Sequence, residues 1–180
     1  MVNWDIKIFD KYIETLLKWQ KSINLIGNNT IKDLWNRHFL DSLSLYPFIK
    51  NKNNILDIGS GAGFPGMVLS ISGIKNITLI DSDERKCIFL NQIKNLYNLD
   101  VNIINDRVEN INTEYSCIIS RAFAPLDKII KLTSSIRNNK TEYFLLKGMN
   151  VLSEIESLSL NYKFDYELNN NNILKIFNII

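Results

Sequence analysis

The 180 residues are enough for one domain with a sizeable core, and a composition of 46% hydrophobic and 22% charged residues is ordinary for a globular protein. A net charge of +2 and a pI of about 8.4 permit a polyanionic partner but are too low for a strongly basic nucleic-acid domain. The two cysteines, Cys87 and Cys117, lack metal-ligand spacing, and the chain contains a single histidine. We therefore expect no metal site, no membrane segment and a cytoplasmic protein.

The N-terminal part of the chain, residues 3–49, carries apolar side chains at helical spacing. One apolar face covers residues 6–20 and a second covers residues 31–45, with the loop NLIGNNT between them. From residue 54 the pattern changes to short apolar strands. The sequence therefore predicts a helical extension, residues 1–50, packed on a core formed by residues 51–180.

The core alternates strands and helices. Strands are predicted at 55–58, 77–80, 101–104, 117–120 and 142–146. Helices are predicted at 65–72, 83–97, 125–136 and 151–160. This alternation predicts an α/β fold of the Rossmann-like class, with a mostly parallel sheet and helices on both faces. The segments KFDYEL and ILKIFNII flank an Asn run with no helix between them, so a C-terminal antiparallel hairpin is expected.

A glycine-rich turn, ILDIGSGAGFPG at 55–66, joins the first strand to a helix and has the form of a nucleotide-binding turn. The dinucleotide spacing G-x-G-x-x-G is met by Gly61, Gly63 and Gly66. The S-adenosylmethionine spacing D-x-G-x-G-x-G is met by Asp57, Gly59, Gly61 and Gly63. The spacing alone therefore fits two cofactors, and the chemistry around the turn has to distinguish them.

The residues around the turn favour S-adenosylmethionine. A pyrophosphate needs free N–H groups and no nearby carboxylate, whereas Asp57 precedes the glycines and Pro65 removes one N–H. The ammonium and sulfonium of S-adenosylmethionine are cations that Asp57 suits. Asp81 ends the second strand and can accept hydrogen bonds from ribose hydroxyls of either cofactor. An NAD-dependent oxidoreductase therefore stays as a weaker alternative.

Ligands of an open α/β sheet bind at the carboxyl ends of its strands. In this chain those ends carry Asp81, Asp106, Ser120–Arg121 and Lys147–Gly148. A Ser–His–Asp triad would depend on the single histidine, and the chain has neither a nucleophile elbow nor a GxxxxGK[ST] loop. Binding and group transfer at the glycine turn therefore remain the best-supported chemistry.

Several motifs together resemble the small-subunit ribosomal RNA methyltransferase G family, also called glucose-inhibited division protein B. They are NLIG (24–27), RHFLDSL (37–43), LDIGSGAGFPG (56–66), LIDSDERKCIFL (79–90), RVE (107–109), SRAFAPL (120–126) and LKG (146–148). The resemblance implies methyl transfer from S-adenosylmethionine to N7 of one guanine in 16S ribosomal RNA. It also implies that the cofactor is bound by Gly59, Phe64, Val108, Glu109 and Arg121.

The resemblance has departures. Ser116 stands where the family usually has an aspartate, Ile26–Gly27 replace Thr-Ala, and the C-terminus is shorter and less basic. These departures concern RNA affinity more than the cofactor turn.

Guanine N7 has a free lone pair at neutral pH, so the enzyme needs alignment more than a general base. We expect Arg121, Lys147, Arg37 and His38 to position the substrate. The predicted partner is 16S ribosomal RNA or the small ribosomal subunit, bound by a monomer. A small-molecule methyltransferase and a non-catalytic RNA-binding or assembly factor on the same fold remain alternatives.

Overall fold

The computed structural model describes residues 4–180, so the first three residues of the predicted extension lie outside it. One sheet of seven strands forms its centre. The strands are β1 (Ile55–Ile58), β2 (Ile77–Asp81), β3 (Asn102–Asn105), β4 (Cys117–Arg121), β5 (Glu142–Leu146), β6 (Asp165–Leu168) and β7 (Ile173–Phe177). Their order is β3-β2-β1-β4-β5-β7-β6, the first five are parallel, and β7 is antiparallel to both β5 and β6. The predicted fold class and C-terminal hairpin are confirmed.

Seven helices surround the sheet within the described residues. They are α1 (Asp10–Gln20), α2 (Asp41–Leu43), α3 (Tyr46–Ile49), α4 (Gly66–Ile71), α5 (Glu84–Tyr97), α6 (Leu126–Leu132) and α7 (Val151–Ser159). Short 3-10 turns cover Ile6–Phe9, Asn28–Asp33 and Val108–Asn110. Between residues 4 and 180, every helix is too short or too polar to traverse a bilayer.

The second N-terminal helix is less regular than its apolar spacing predicts. Residues 28–49 form a 3-10 turn, a π-helical turn at Trp35–Leu40 and two short helices. In the π-helical turn the N–H of Asp41 donates to the carbonyl of Asn36, five residues back. This widened turn brings His38 and Phe39 inward together, and both side chains are buried.

The two faces of the sheet are covered by different helices. On one face, Phe9, Tyr12 and Phe39 of the N-terminal extension join Met67 and Phe89 in one buried cluster. On the other face, α6 and α7 cover a second cluster built on alternate residues of the same strands. Side chains from residues 9–39 and from the residues after 54 thus share one buried cluster. The carboxyl ends of β1, β2, β3, β4 and β5 meet at one edge, where the glycine turn lies.

Candidate cofactor and substrate site

The glycine turn presents two kinds of glycine. Gly61 has a φ of +56°, and a Cβ added to it would meet only the Gly59 carbonyl oxygen, at 3.8 Å. Its Cα therefore borders open space. Gly63 has a φ of +87°, but a Cβ there would overlap Tyr12 Oη and Met67 Cβ. Gly63 is thus a packing glycine facing the N-terminal extension, whereas Gly61 faces a cavity.

The start of α4 has its N–H groups already engaged. Gly63 and Phe64 both donate to the Ser60 carbonyl, at 2.7 and 3.2 Å, and Gly66 donates to Asp57 Oδ2 at 2.9 Å. Pro65 has no N–H to offer. A pyrophosphate needs several free donors at this position, so the geometry argues against the dinucleotide alternative.

Asp57 is bonded to the end of the glycine turn from the interior of the protein. Its side chain is fully buried, Oδ2 accepts the Gly66 N–H, and Oδ1 has no hydrogen-bond partner. A Cβ on Gly66 would lie 2.6 Å from Oδ2, so the glycine permits this close approach. Burial raises the pKa of Asp57 from 3.8 to about 7, although the hydrogen bond from Gly66 opposes the rise. Asp57 is not in the cavity lining, and its predicted contact with the cofactor stays a prediction.

We expect Asp57→Asn to change the pH dependence of stability. Because the folded-state pKa of Asp57 lies above its usual value, its stabilising contribution is complete below pH 3.8 and is lost as pH rises to about 7. An asparagine keeps an acceptor for Gly66 and never ionises. The free energy of unfolding of the variant should therefore rise relative to the parent by about 1–3 kcal/mol between pH 4.5 and pH 8. Urea unfolding of the parent and the variant at both pH values measures this difference. An equal change of the unfolding free energy with pH in both proteins would contradict the prediction.

The cofactor cavity, as we name the space beside the turn, has a volume of about 390 Å³. It lies at the carboxyl ends of β1, β2 and β4. Of the residues predicted to bind cofactor, its lining contains Gly59, Gly61, Asp81, Val108 and Glu109. Asp106, which the strand-end rule had favoured as readily as Glu109, lines it too. The structure adds residues that spacing did not single out: Ile80, Ser82, Lys86, Arg107, Ala122, Phe123, Lys128 and Leu132.

Asp81 couples the second strand to the glycine turn. Its Oδ2 accepts the Gly61 N–H at 2.8 Å, and its Oδ1 accepts the Asp83 N–H at 2.9 Å. The carboxylate thereby fixes the cavity-facing glycine. Both oxygens retain lone pairs, so Asp81 can still accept from a ligand hydroxyl.

Arg121 is held by the N-terminal extension. Its Nη1 donates to the Arg37 carbonyl at 2.8 Å, and its Nη2 donates to His38 Nδ1 at 2.6 Å. The guanidinium carbon lies 5.1 Å from the ring centroid of Phe64, and that ring is itself stacked on Tyr12. Phe64 is buried and is absent from the cavity lining. The predicted cofactor residues Phe64 and Arg121 thus form a layer behind the turn.

His38 accepts a hydrogen bond from Arg121. Since an arginine can only donate, His38 Nδ1 is the acceptor, and its protonated Nε2 donates to Thr30 Oγ1 at 2.8 Å. Burial, together with the neighbouring Arg121 and Arg37, lowers the pKa of His38 from 6.5 to about 4. The ring is only 4% exposed. The buried ring therefore does not favour a direct contact between His38 and the substrate. His38 instead orients Arg121, and its expected part in positioning the substrate stays a prediction.

A second space, which we name the substrate cavity after its expected role, lies next to the first and has a volume of about 760 Å³. Its lining includes Arg37, Asp41, Arg121 and Lys147. Arg37 is exposed and, within residues 4–180, forms no ion pair with Asp41, although their spacing had allowed one. The cations expected to position the substrate therefore meet at one cavity.

Lys147, which the sequence places at a strand end, is held in position by other residues. Its Nζ lies 2.6 Å from Glu154 Oε2 and donates to the Ala124 carbonyl at 3.0 Å, and its side chain is only 9% exposed. Glu154 Oε2 also accepts the Leu126 N–H at 2.9 Å. Lys147 lines the substrate cavity, but its ammonium group is already bonded to Glu154 and to the loop after β4. Spacing could not reveal this, because Glu154 lies on α7.

No cluster of three or more His, Cys, Asp or Glu side chains suited to a metal ion occurs in the described part of the chain. Cys117 is buried within β4, away from the cavities, and burial raises its pKa to about 12. The chemistry available at the site is therefore recognition by carboxylates and cations around two adjoining cavities.

The sheet order and the glycine turn define a class I methyltransferase fold. Among solved structures, the chain is similar to ribosomal protein L11 methylase from Lactobacillus delbrueckii subsp. bulgaricus, with a TM-score of 0.63 and 13% identity over 84% of this chain and 78% of the other. At that identity the likeness concerns the fold alone.

Sequence comparison gives the family. The family model described as rRNA small subunit methyltransferase G matches residues 5–175. A relative called ribosomal RNA small subunit methyltransferase G, from Rickettsia prowazekii (strain Madrid E), is 46% identical over 89% of this chain and 83% of its own length. One of the same name, from Orientia tsutsugamushi (strain Ikeda), is 45% identical over 89% and 81%. The chain belongs to the rRNA small subunit methyltransferase G family, as its motifs predicted.

Proposed function

We propose that this protein transfers the methyl group of S-adenosylmethionine to N7 of a specific guanine in 16S ribosomal RNA, acting in the cytoplasm. The observation that carries the proposal is the pair of adjoining cavities, one at the glycine turn and one lined by Arg37, Arg121 and Lys147. Family membership supports the same reaction. The predicted partner is 16S ribosomal RNA or the small ribosomal subunit, and the predicted state is a monomer.

The cofactor cavity fits S-adenosylmethionine in size and chemistry. Its volume lies in the range of small-molecule sites. Asp81 and Glu109 offer carboxylates for ribose hydroxyls, and Ile80 and Val108 offer apolar contacts for an adenine. Behind the turn, the buried carboxyl of Asp57 has one oxygen, Oδ1, without a hydrogen-bond partner. When bound, S-adenosylmethionine supplies an electrophilic methyl group on a sulfonium.

The chain's own residues suit a reaction that needs no general base. Guanine N7 attacks through its own lone pair, so no proton has to leave before the methyl group arrives. His38, the single histidine, is neutral at physiological pH and has both ring nitrogens in hydrogen bonds. The protein therefore contributes alignment and exclusion of water. Arg121, fixed on two sides, supplies a rigid cationic wall for the substrate cavity.

The cation arrangement favours RNA over a small-molecule substrate. Arg37, Arg121 and Lys147 line one cavity whose rim includes Met149, which is 95% exposed. A closed apolar pocket would have favoured a small molecule. Arg37 is the exposed cation of this set and can meet a phosphate directly.

Two measurements test the proposal. In equilibrium dialysis, S-adenosylmethionine should bind and NADH should not, and tighter NADH binding would overturn the cofactor assignment. In a transfer assay with labelled S-adenosylmethionine, label should enter 16S ribosomal RNA supplied as undermethylated small subunits. Cofactor binding without any transfer to RNA would instead favour the non-catalytic assembly factor.

Asp81→Ala should raise the dissociation constant of S-adenosylmethionine about tenfold, because the Gly61 N–H loses its acceptor and the ribose loses a carboxylate. The affinity for RNA should change little. Asp83→Ala is the matched control. Asp83 lies two residues away, caps α5 and pairs with Arg85, and it does not line the cavity. Calorimetry measures the dissociation constant of S-adenosylmethionine for both variants, and only Asp81→Ala should raise it. Equal weakening by both would point to a general disturbance of the loop.

A further inference from the structure

The two cavities share two lining residues, Ala122 and Phe123. Phe123 is also the one aromatic side chain in the lining of either cavity. Its ring lies against Gly59, since a Cβ added there would fall 2.1 Å from Phe123 Cδ2. The ring therefore stands at the junction between the place for the methyl donor and the place for its acceptor.

The loop that carries Phe123 is fastened on both sides. Before it, Arg121 is bonded to the Arg37 carbonyl and to His38. After it, the Ala124 carbonyl accepts from Lys147 and the Leu126 N–H donates to Glu154. Between these fixed points Ala122 has a φ of +51°, a left-handed conformation that is unusual for alanine. Side-chain hydrogen bonds before and after Phe123 thus fix the loop that carries it, and Phe123 is 36% exposed.

The three tryptophans, by contrast, each pack against another ring. Trp4 contacts Tyr46, Trp19 contacts Phe89, and Trp35 is stacked on Phe39. Phe123 has no ring–ring partner among residues 4–180. An aromatic face that is left unpaired at the mouth of a substrate site is suited to a flat ligand.

We propose that Phe123 stacks on the target base and so positions it beside the methyl donor. The inference rests on the proposed function, because it takes the substrate to be a guanine. Every base has a π-face, and stacking on an aromatic side chain stabilises an unpaired base without reading its edge. Stacking leaves N7, which lies in the plane of the purine, free to face the cofactor cavity. Phe123 is thereby a substrate-contacting residue that takes no part in proton transfer.

The test compares Phe123→Leu, Phe123→Tyr and the parent in methyl transfer to undermethylated small subunits. Leucine fills the space over Gly59 without an aromatic face, whereas tyrosine keeps the face. We expect Phe123→Leu to raise the KM for the subunits about 5- to 100-fold and to change the dissociation constant of S-adenosylmethionine less than about twofold. Phe123→Tyr should restore the KM to near the parent value. Thermal unfolding confirms that each variant is folded.

Three outcomes overturn the proposal. An unchanged KM and kcat for folded Phe123→Leu would show that the base does not stack here. A cofactor dissociation constant that rises as much as the KM would assign Phe123 to the wall of the cofactor cavity. A Tyr variant as poor as the Leu variant would show that the exact fit of the side chain, and not an aromatic face, sets the KM. If the parent itself transfers no methyl group to RNA, the proposed function fails and the stacking role fails with it.

Discussion

Arg121→Lys is expected to lower methyl transfer to small ribosomal subunits about 100-fold, which is the size of effect that a displacement of about 1 Å at a reacting centre can cause. The guanidinium bonds the Arg37 carbonyl and His38 Nδ1 at the same time and lies over the Phe64 ring. A lysine ammonium is a point charge on a flexible stem and cannot reproduce this planar fork. The charge is kept, so a loss of activity would report geometry.

The matched control for that variant is Arg137→Lys. Arg137 also donates Nη1 to a backbone carbonyl, that of Ile179 at 3.3 Å, and its Nε is likewise buried without a partner. It lines neither cavity. Steady-state kinetics should therefore show near-parental activity for Arg137→Lys. Parental activity in Arg121→Lys, or an equal loss in both variants, would contradict the role given to Arg121.

Gly61→Ala should raise the dissociation constant of S-adenosylmethionine about 100-fold while the protein stays folded. The added Cβ meets no protein atom closer than 3.8 Å, so its methyl group projects into the cofactor cavity. Overfilling a packed site typically costs about 1–3 kcal/mol. The positive φ adds a conformational cost of about 1–2 kcal/mol to folding itself.

Gly73→Ala separates these two contributions. Gly73 also has a positive φ, +99°, and a Cβ there meets nothing within 4 Å, but the residue lies outside the cavity lining. Both variants should lose stability in urea unfolding, and calorimetry should find weakened cofactor binding only for Gly61→Ala. Normal binding by Gly61→Ala would mean that the open face of the turn is not the cofactor site.

The strands of the sheet could be predicted from the sequence, because short runs of apolar residues mark segments that are buried in the folded protein. All five parallel strands lie within one residue of their predicted bounds, the terminal hairpin forms, and Asp81 ends its strand at the cavity. The break of the second N-terminal helix was not predictable in this way. A π-helical turn keeps apolar residues at similar spacing but changes which of them face inward.

Contacts between distant segments could not be predicted from spacing. Arg121 and His38 are 83 residues apart, and their bond depends on how the extension packs over the sheet. Lys147 has the residue type of an RNA contact, yet Glu154 on α7 engages it. Phe123 was visible only as part of a motif, because its position over Gly59 follows from the left-handed Ala122 and from anchors on other elements.

Mapping of the modified base is the decisive measurement for the proposed reaction. Small subunits lacking the modification are incubated with the protein and S-adenosylmethionine, and their 16S ribosomal RNA is analysed for N7-methylguanine by borohydride–aniline cleavage and primer extension. We expect one new cleavage site at a single guanine, absent without cofactor and strongly reduced with Arg121→Lys. Methylation at another atom or on another class of molecule, or no methylation by a protein that binds the cofactor, would contradict it.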